Sequence, residues 1–106
     1  MPESIERGAL TEAVYYILLS LHVPMHGYAI MQNIERLTGG RVVLGPGTLY
    51  GAINALLQKK WIAAVSAEKD SRKKEYVITD TGRSVFEGEL IRLIELIRNG
   101  EGITKE

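Results

Sequence analysis

The sequence predicts a small, mainly α (α+β) protein with one β-hairpin, and two patterns carry this prediction. Apolar residues recur every three or four positions in four separate segments, the period of helices that bury one face. Between the third and fourth of these segments, two short stretches rich in Val, Ile, Trp and Tyr flank a charged loop of seven residues. Such a pair of stretches indicates a β-hairpin.

Proline, glycine and capping residues set the expected limits of each element. The first helix is predicted over residues 9 to 22, before Pro24, and the second over 27 to 38, before two glycines. The third helix begins at Pro46, a residue suited to the first helical position, and runs to about residue 59. Strands follow at 61 to 67 and 75 to 79. Thr79 or Asp80 caps a last helix that runs to about residue 98, with a frayed tail from 100 to 106.

Length and composition favour a single core. The chain has 106 residues, of which 45% are hydrophobic, so residues 1-79 and 80-106 are expected to be two regions of one compact domain. It contains no cysteine, and neither a membrane-spanning run nor a signal segment is visible. We therefore expect a cytoplasmic protein with no membrane partner.

Charge is unevenly distributed although the formal net charge is zero. Residues 1 to 35, 36 to 83 and 84 to 106 carry net charges of −3, +5 and −2. A basic centre between acidic ends is compatible with a surface that faces DNA beside a separate assembly region.

The outward face of the third helix is the first candidate binding surface. This face carries small and uncharged polar residues over three turns, namely Gly47, Thr48, Tyr50, Gly51, Asn54 and Gln58. A solvated face is the alternative, but such faces usually carry several Lys and Glu. Hydroxyl groups can bind phosphate oxygens, and the amide of Asn54 can read adenine in a major groove, so we favour a DNA-binding surface.

The charged loop of the hairpin is the second candidate. It offers four cations beside two acids, Lys69, Arg72, Lys73 and Lys74 beside Glu68 and Asp70. By itself such a loop is usually a soluble hairpin tip. Directly after a helix-turn-helix it occupies the position of a wing, where cations near phosphates gain from counterion release. The order helix, helix, helix, hairpin, helix thus predicts a winged helix-turn-helix with a two-stranded wing and an added carboxyl-terminal helix.

Two short motifs at the right distance resemble the PadR family of transcriptional regulators. The first includes Pro24, His26, Gly27 and Tyr28, and the second runs from Pro46 to Tyr50. Further matching positions are Ile30, Leu56, Ile62, Lys73, Lys74, Tyr76, Ile78, Thr79 and Gly82. The single helix after the wing is similar to the small PadR subfamily.

This resemblance implies a homodimeric repressor that is often released by phenolic or other aromatic, drug-like compounds. It also implies DNA contacts by Tyr28, Thr48, Tyr50 and Lys73 or Lys74. One departure is Trp61, where the family commonly has Gly. A left-handed backbone at this position would cost a bulky residue about 1 to 2 kcal/mol.

The last helix presents more apolar surface than one small domain requires, which favours dimerisation over a wide intramolecular face. The expected interface residues are Val14, Phe86, Leu90, Leu93, Ile94 and Ile97. A two-fold dimer fits a pseudo-palindromic operator in double-stranded DNA. Tyr15, Tyr16 and Phe86 are candidates for a pocket that binds an aromatic effector, although aromatic residues on buried helices are more often core.

Other functions receive less support from the residues. His22 and His26 are four apart, but Pro24 interrupts a common helix and no further ligand set is evident, so we expect no metal and no cofactor. No nucleophile elbow, phosphate-binding loop or diagnostic pair of His and acid occurs, so we expect no enzyme. The alternative from another class is a winged-helix module that binds a protein through its third helix.

Overall fold

The computed structural model describes residues 9–65 and 74–105, which form four helices and a three-stranded antiparallel sheet. In chain order the elements are α1 (Glu12–Ser20), β1 (Met25–His26), α2 (Gly27–Leu37), α3 (Pro46–Gln58), β2 (Ile62–Ala64), β3 (Glu75–Ile78) and α4 (Asp80–Thr104). This is a winged helix-turn-helix followed by a long helix, so the predicted fold class is confirmed. None of the described helices is long and apolar enough to cross a bilayer.

The starts of the helices follow from local capping. The hydroxyl of Thr11 accepts a hydrogen bond from the N–H of Val14 at 3.1 Å, and this starts α1 three residues later than predicted. Pro46 is the first residue of α3, as predicted. Of the two caps considered for the last helix, Thr79 is the one used, and its hydroxyl accepts from the N–H of Gly82 at 3.1 Å.

The end of α3 corrects the expectation for Trp61. The left-handed residue is Lys60, with φ of 64°, and not Trp61. The N–H of Lys60 donates to the carbonyl of Leu57 at 3.0 Å, and that of Trp61 donates to Leu56 at 3.1 Å. This is the Schellman arrangement, in which two last carbonyls of a helix receive hydrogen bonds. The strain of a positive φ therefore falls on an exposed lysine, and the indole lies one position beyond it.

The predicted frayed tail is wrong. α4 continues past Arg98 to Thr104 and ends at Lys105, whose N–H donates to the carbonyl of Glu101 at 3.1 Å. Gly100 and Gly102 each disfavour helix by about 1 kcal/mol relative to Ala. Extending an existing helix adds one hydrogen bond per residue without a new nucleation step, so two separated glycines do not end it.

The sheet contains a strand that the sequence did not reveal. β1 lies between the first two predicted helices, where no strand was expected. It pairs with β3 through Met25 and Tyr76, and the sheet order is β1-β3-β2. Two residues are too few to show the alternation of a strand. β2 is also shorter than predicted, and residues 66 and 67 lie outside the described part of the chain.

Residues from all the helices and from β2 and β3 form one core. Its most buried members are Ile17, Leu18, Leu21, Ile30, Ile34, Leu49, Ile53, Leu56 and Ile62. α4 packs on α1 and β3 through its first half. From Ile94 to Lys105 every residue of α4 and its cap is exposed, so the second half of this helix extends beyond the core. The division of the chain at residue 79 stays a prediction.

Candidate nucleic-acid interface

The outward face of α3 is exposed over its full length. Leu49, Ile53 and Leu56 are buried and fix the rotation of the helix about its axis. The residues predicted to contact DNA are all exposed on the same helix, namely Gly47, Thr48, Tyr50, Gly51 and Asn54. The structure thus brings the predicted recognition residues of this helix onto one accessible, uncharged surface.

Two glycines of this surface have no role in the packing of the protomer. A Cβ atom built on Gly47 or Gly51 would meet no atom within 4 Å. Glycine inside a helix costs roughly 0.5 to 1 kcal/mol relative to alanine. Intramolecular contacts therefore do not require these glycines, whereas close approach of another molecule would.

Tyr50 lies at the edge of the surface, against the start of α2. Its side chain is 41% exposed, and a Cβ built on Gly27 would lie 2.1 Å from the Tyr50 hydroxyl oxygen. Burial raises the pKa of Tyr76, and the nearby Tyr50 contributes to the shift in the same direction. The hydroxyl of Tyr50 therefore lies beside the first turn of α2. The sequence alone gave no sign that Gly27 is the residue that makes room for it.

The first turn of α2 adds Tyr28 to this surface. The ring of Tyr28 is 62% exposed. His26 caps the helix, because its Nδ1 accepts a hydrogen bond from the N–H of Ala29 at 3.4 Å. His22 has a different role, with Nδ1 at 3.0 Å from the carbonyl oxygen of Leu18 and its ring edge-on to Phe86. Each histidine thus forms its hydrogen bond with the backbone of the adjacent helix. Among the described residues, no group of three or more His, Cys, Asp or Glu could hold a metal ion.

Only one of the predicted wing cations lies in the described part of the chain. Lys74 is exposed and directly precedes β3. Lys69, Arg72 and Lys73 fall in 66–73, outside the described residues. Because β3 pairs with both β1 and β2, Lys74 is anchored to the sheet that also supports the start of α2.

The predicted dimer residues divide into two groups. Leu90, Ile94 and Ile97 are exposed and lie on one stripe of α4, spaced by four and three residues. Val14 and Leu93 are half-buried. Phe86 is only 8% exposed and packs inside the protomer, with its ring 4.8 Å from that of Tyr15 at 27°. It therefore contributes to the core more than to any exposed surface.

The predicted effector residues lie beside a cavity of about 320 Å³, here called the tyrosine cavity. Its lining residues are Leu10, Glu12, Tyr15, Tyr16, Glu89, Arg92 and Leu93. Tyr15 and Tyr16 meet edge to face, with ring centroids 5.8 Å apart. Phe86 does not line the cavity; its ring stacks on the ring of Tyr15. Burial, with contributions from Tyr16 and Glu89, raises the pKa of Tyr15, so its phenol stays protonated near neutral pH.

A buried ion pair at this cavity was missed in the sequence. Glu89 is 2% exposed and binds the guanidinium of Arg92 through two hydrogen bonds of 2.7 Å. Its carboxylate also accepts the N–H of Leu10 at 3.2 Å. These interactions, that with Arg92 foremost, lower the pKa of Glu89 although burial opposes the shift. The spacing of three residues between an acid and an arginine is common on exposed helices, so it gave no signal of burial.

Comparison with known proteins agrees with the fold. Residues 15–88 match the model of the transcriptional regulator PadR-like family. A 37.1 kDa protein in transposon TN4556 of Streptomyces fradiae is 41% identical over 66 residues, which cover 62% of this chain. The match spans only 18% of the length of that relative.

Two solved structures illustrate the structural similarity. A PadR-like transcription factor from Bacteroides fragilis is 24% identical over 96% of each chain, with a TM-score of 0.71. Bacillus subtilis PadR, solved in complex with operator DNA, is 22% identical over 78% of this chain and 49% of that chain, with a TM-score of 0.67.

Proposed function

We propose that this chain, which belongs to the PadR-like family of transcriptional regulators, acts as a dimeric repressor that binds a pseudo-palindromic operator and is released by a small aromatic effector. In this proposal α3 enters the major groove and the wing follows the phosphate backbone. The family and its structural relatives are regulators, and one of those relatives was solved with operator DNA.

The outward face of α3 is the observation that carries the proposal. It is accessible, free of charge, and lined by two glycines that the protomer itself does not need. A major groove is wide enough to admit an α-helix, and small side chains on the facing side let the helix backbone come close to base edges and phosphates. Asn54 is exposed beyond Tyr50 on this face, where its amide is suited to a base edge.

In this proposal, residues around α3 bind the DNA backbone and thereby position the protein on the duplex. Tyr28 and Tyr50 present hydroxyl groups beside the first turn of α2, whose N–H groups give that end a positive partial charge. Lys74 supplies a cation from the base of the wing, and Lys69, Arg72 and Lys73 are proposed to continue the basic row. Contacts of this kind fix register and carry little sequence information.

Dimerisation is proposed to use the exposed stripe of α4. The helix has 25 residues and is therefore about 37 Å long, while its second half lacks a partner within the described residues of the protomer. Leu90, Ile94 and Ile97 would remain in water in a monomer, and burying them between two copies removes that apolar surface.

The tyrosine cavity is the proposed site of an aromatic effector. Its size of about 320 Å³ lies at the small end of ligand sites, and it combines two aromatic rings with a few polar groups. It lies between α1 and α4, the two helices closest to the proposed dimer contact. A ligand there can change the relation of the two protomers and hence the spacing of their α3 helices.

Binding to the DNA upstream of the chain's own coding region tests the function. We expect the affinity for this DNA to exceed that for random DNA and to fall steeply as salt rises, because phosphate contacts release counterions. Replacing Lys73 and Lys74 with Ala should flatten the salt dependence by roughly one unit of slope for each phosphate that is no longer neutralised. Binding to neither DNA, or a salt-independent interaction with a protein alone, would favour the protein-interaction module instead.

A further inference from the structure

The first turn of α3 lacks the kind of cap that fixes the other helices. Among the four helices of the described residues, α1, α2 and α4 each begin at a side chain that accepts a backbone hydrogen bond, namely Thr11, His26 and Thr79. Such a side chain fixes the entry of the chain into a helix, because it satisfies an N–H group of the first turn. α3 begins instead at Gly45, without a side-chain hydrogen bond. The position of its first turn therefore depends on the connection that leads into it.

The connection from α2 to α3 reverses and then returns along the core. Gly39 and Gly40 are left-handed, with φ of 61° and 84°. The hydroxyl of Thr38 accepts the N–H of Val42 at 3.0 Å, which closes the reversal. Val42 and Leu44 are half-buried and pack against the core. These contacts hold the start of the connection and its inner side.

Arg41 joins the connection to the start of α1. Its guanidinium donates two hydrogen bonds to the carboxylate of Glu12, and the one from Nη1 to Oε1 measures 3.2 Å. The two residues are 29 positions apart in the chain. A bidentate pair of this kind fixes orientation as well as distance. The first residue of α1 is thus tied to the segment that enters α3.

Exposure limits what this ion pair contributes to the fold. The side chains of Arg41 and Glu12 are 61% and 51% exposed. Pairs between exposed side chains change the stability of a whole protein little. A turn without a capping side chain is more sensitive, because fewer other contacts fix its position.

We propose that Arg41 is a positioning residue for DNA recognition, whose pairing with Glu12 holds the first turn of α3 in the place required for entry into the major groove. In helix-turn-helix proteins, the first residues of the recognition helix contact base edges, so a shift of this turn changes the specific contacts. Arg41 itself need not touch DNA. This inference rests on the proposed DNA-binding function.

Glu12→Gln separates positioning from charge by the sign of its effect. The variant loses one negative charge in each protomer, and by charge alone this should strengthen binding to any DNA. If the pair positions α3, the variant should instead bind the operator about twofold to fivefold more weakly, without a loss of affinity for random DNA. The operator for this measurement is a sequence that the parent protein selects from a random library, and anisotropy gives both affinities.

Asp80→Asn is the matched control for the loss of an acid. Asp80 is also exposed and also lies in the first turn of its helix, α4. The substitution removes the same charge and leaves the pair of Glu12 and Arg41 intact. Operator binding should therefore stay equal to that of the parent or become slightly tighter.

A double-mutant cycle tests whether Glu12 acts through Arg41. In the Arg41→Gln background, Glu12→Gln has no pair to break and should no longer weaken operator binding. Arg41→Lys keeps the charge but not the bidentate geometry. It should therefore bind random DNA as the parent does and the operator more weakly. Thermal unfolding checks that each variant is folded at the temperature of the measurement.

Amide hydrogen exchange measures the position of this turn without DNA. The N–H of Leu49 donates to the carbonyl of Gly45 at 3.0 Å and closes the first turn of α3. If the pair of Glu12 and Arg41 holds this turn, exchange at Leu49 should be about twofold to fivefold faster in Glu12→Gln. In Asp80→Asn the exchange rate should not change.

Three results would overturn the proposal. The first is a Glu12→Gln variant that binds the operator as tightly as the parent or more tightly, since charge alone then accounts for its behaviour. The second is an equal loss from Glu12→Gln with and without the guanidinium of Arg41, and the third is unchanged exchange at Leu49. A parent protein that binds no DNA contradicts the proposed function. Faster exchange at Leu49 in Glu12→Gln would then leave the tie between α1 and α3 standing.

Discussion

The hydroxyl of Tyr50 occupies the space that a side chain on Gly27 would need. A methyl group there would lie 2.1 Å from the hydroxyl oxygen and 2.6 Å from Cζ of the same ring. Tyr50 is partly exposed, so in Gly27→Ala its ring can swing outward at a cost of about 1 kcal/mol or less in stability. We expect the variant to fold but to bind operator DNA several-fold more weakly, as measured by fluorescence anisotropy.

A double-mutant cycle separates this contact from a general effect of alanine at the start of α2. Once Tyr50 is replaced by Ala, the substitution at Gly27 has no ring to displace and should have no further effect on DNA affinity. Equal losses from Gly27→Ala in both backgrounds would show that the contact with Tyr50 does not carry the effect.

Gly51→Ala should have opposite effects on stability and on DNA binding. A methyl group at Gly51 meets nothing within 4 Å in the protomer, so alanine should raise the free energy of unfolding by roughly 0.5 to 1 kcal/mol. If DNA approaches this helix closely, the same methyl group should weaken operator binding. Urea unfolding and anisotropy give the two values, and a variant that is more stable and binds as tightly as the parent would contradict close approach at this residue.

Tyr50 and Asn54 should affect DNA binding in different ways. Tyr50→Phe removes a hydroxyl proposed to bind a phosphate, so it should lower affinity for operator and random DNA by a similar factor. Asn54→Ala removes an amide proposed to read a base and should cost roughly 1 to 3 kcal/mol on the operator alone. Both DNAs are measured at one salt concentration, with circular dichroism to check folding. Operator binding as tight as that of the parent in both variants would exclude α3 as the recognition element.

Glutamate at Ile94 and Ile97 should convert the proposed dimer into monomers. Ile94 and Ile97 lie on the exposed stripe of α4, and two carboxylates on each copy would have to be buried without partners in the interface. Sedimentation should then show monomers at micromolar concentration, with operator binding lost. Asn99→Glu, also exposed on α4 but away from the stripe, is the control and should remain dimeric. A parent protein that is itself monomeric would refute the interface.

Glu89→Gln should destabilise the protein in a pH-dependent manner. The pKa of Glu89 is lowered in the folded state, chiefly by its hydrogen bonds to Arg92. The stabilisation is therefore present above the ordinary pKa of a glutamate and is lost as pH falls through the lower folded value. At pH 7 the variant should lose about 1 to 3 kcal/mol of unfolding free energy, and the difference from the parent should shrink below about pH 4. A difference that does not depend on pH would mean that the charge of Glu89 is not what stabilises the contact.

The sequence by itself determined the order of the four helices and of the two hairpin strands, and most of the proposed recognition surface. The starts of α3 and α4 were predicted correctly because their signals are local. Helical periodicity, the proline at the first position of α3 (Pro46) and the cap of α4 (Thr79) depend only on residues nearby in the chain. The uncharged face of α3 follows from the same local periodicity, because one turn of helix fixes which residues share a side.

Only the tertiary structure decided the contacts between residues far apart in the chain. Three such contacts are the pairing of β1 with β3, the contact of Tyr50 with Gly27 and the hydrogen bond between Glu89 and Leu10. Each joins segments that are far apart in the chain, so no local sequence pattern links them. The same holds for Trp61, whose place depends on which residue takes the positive φ and on the start of α1 packing across α3. A side chain's neighbours across the core depend on how whole elements pack, and periodicity within one element carries no information about that packing.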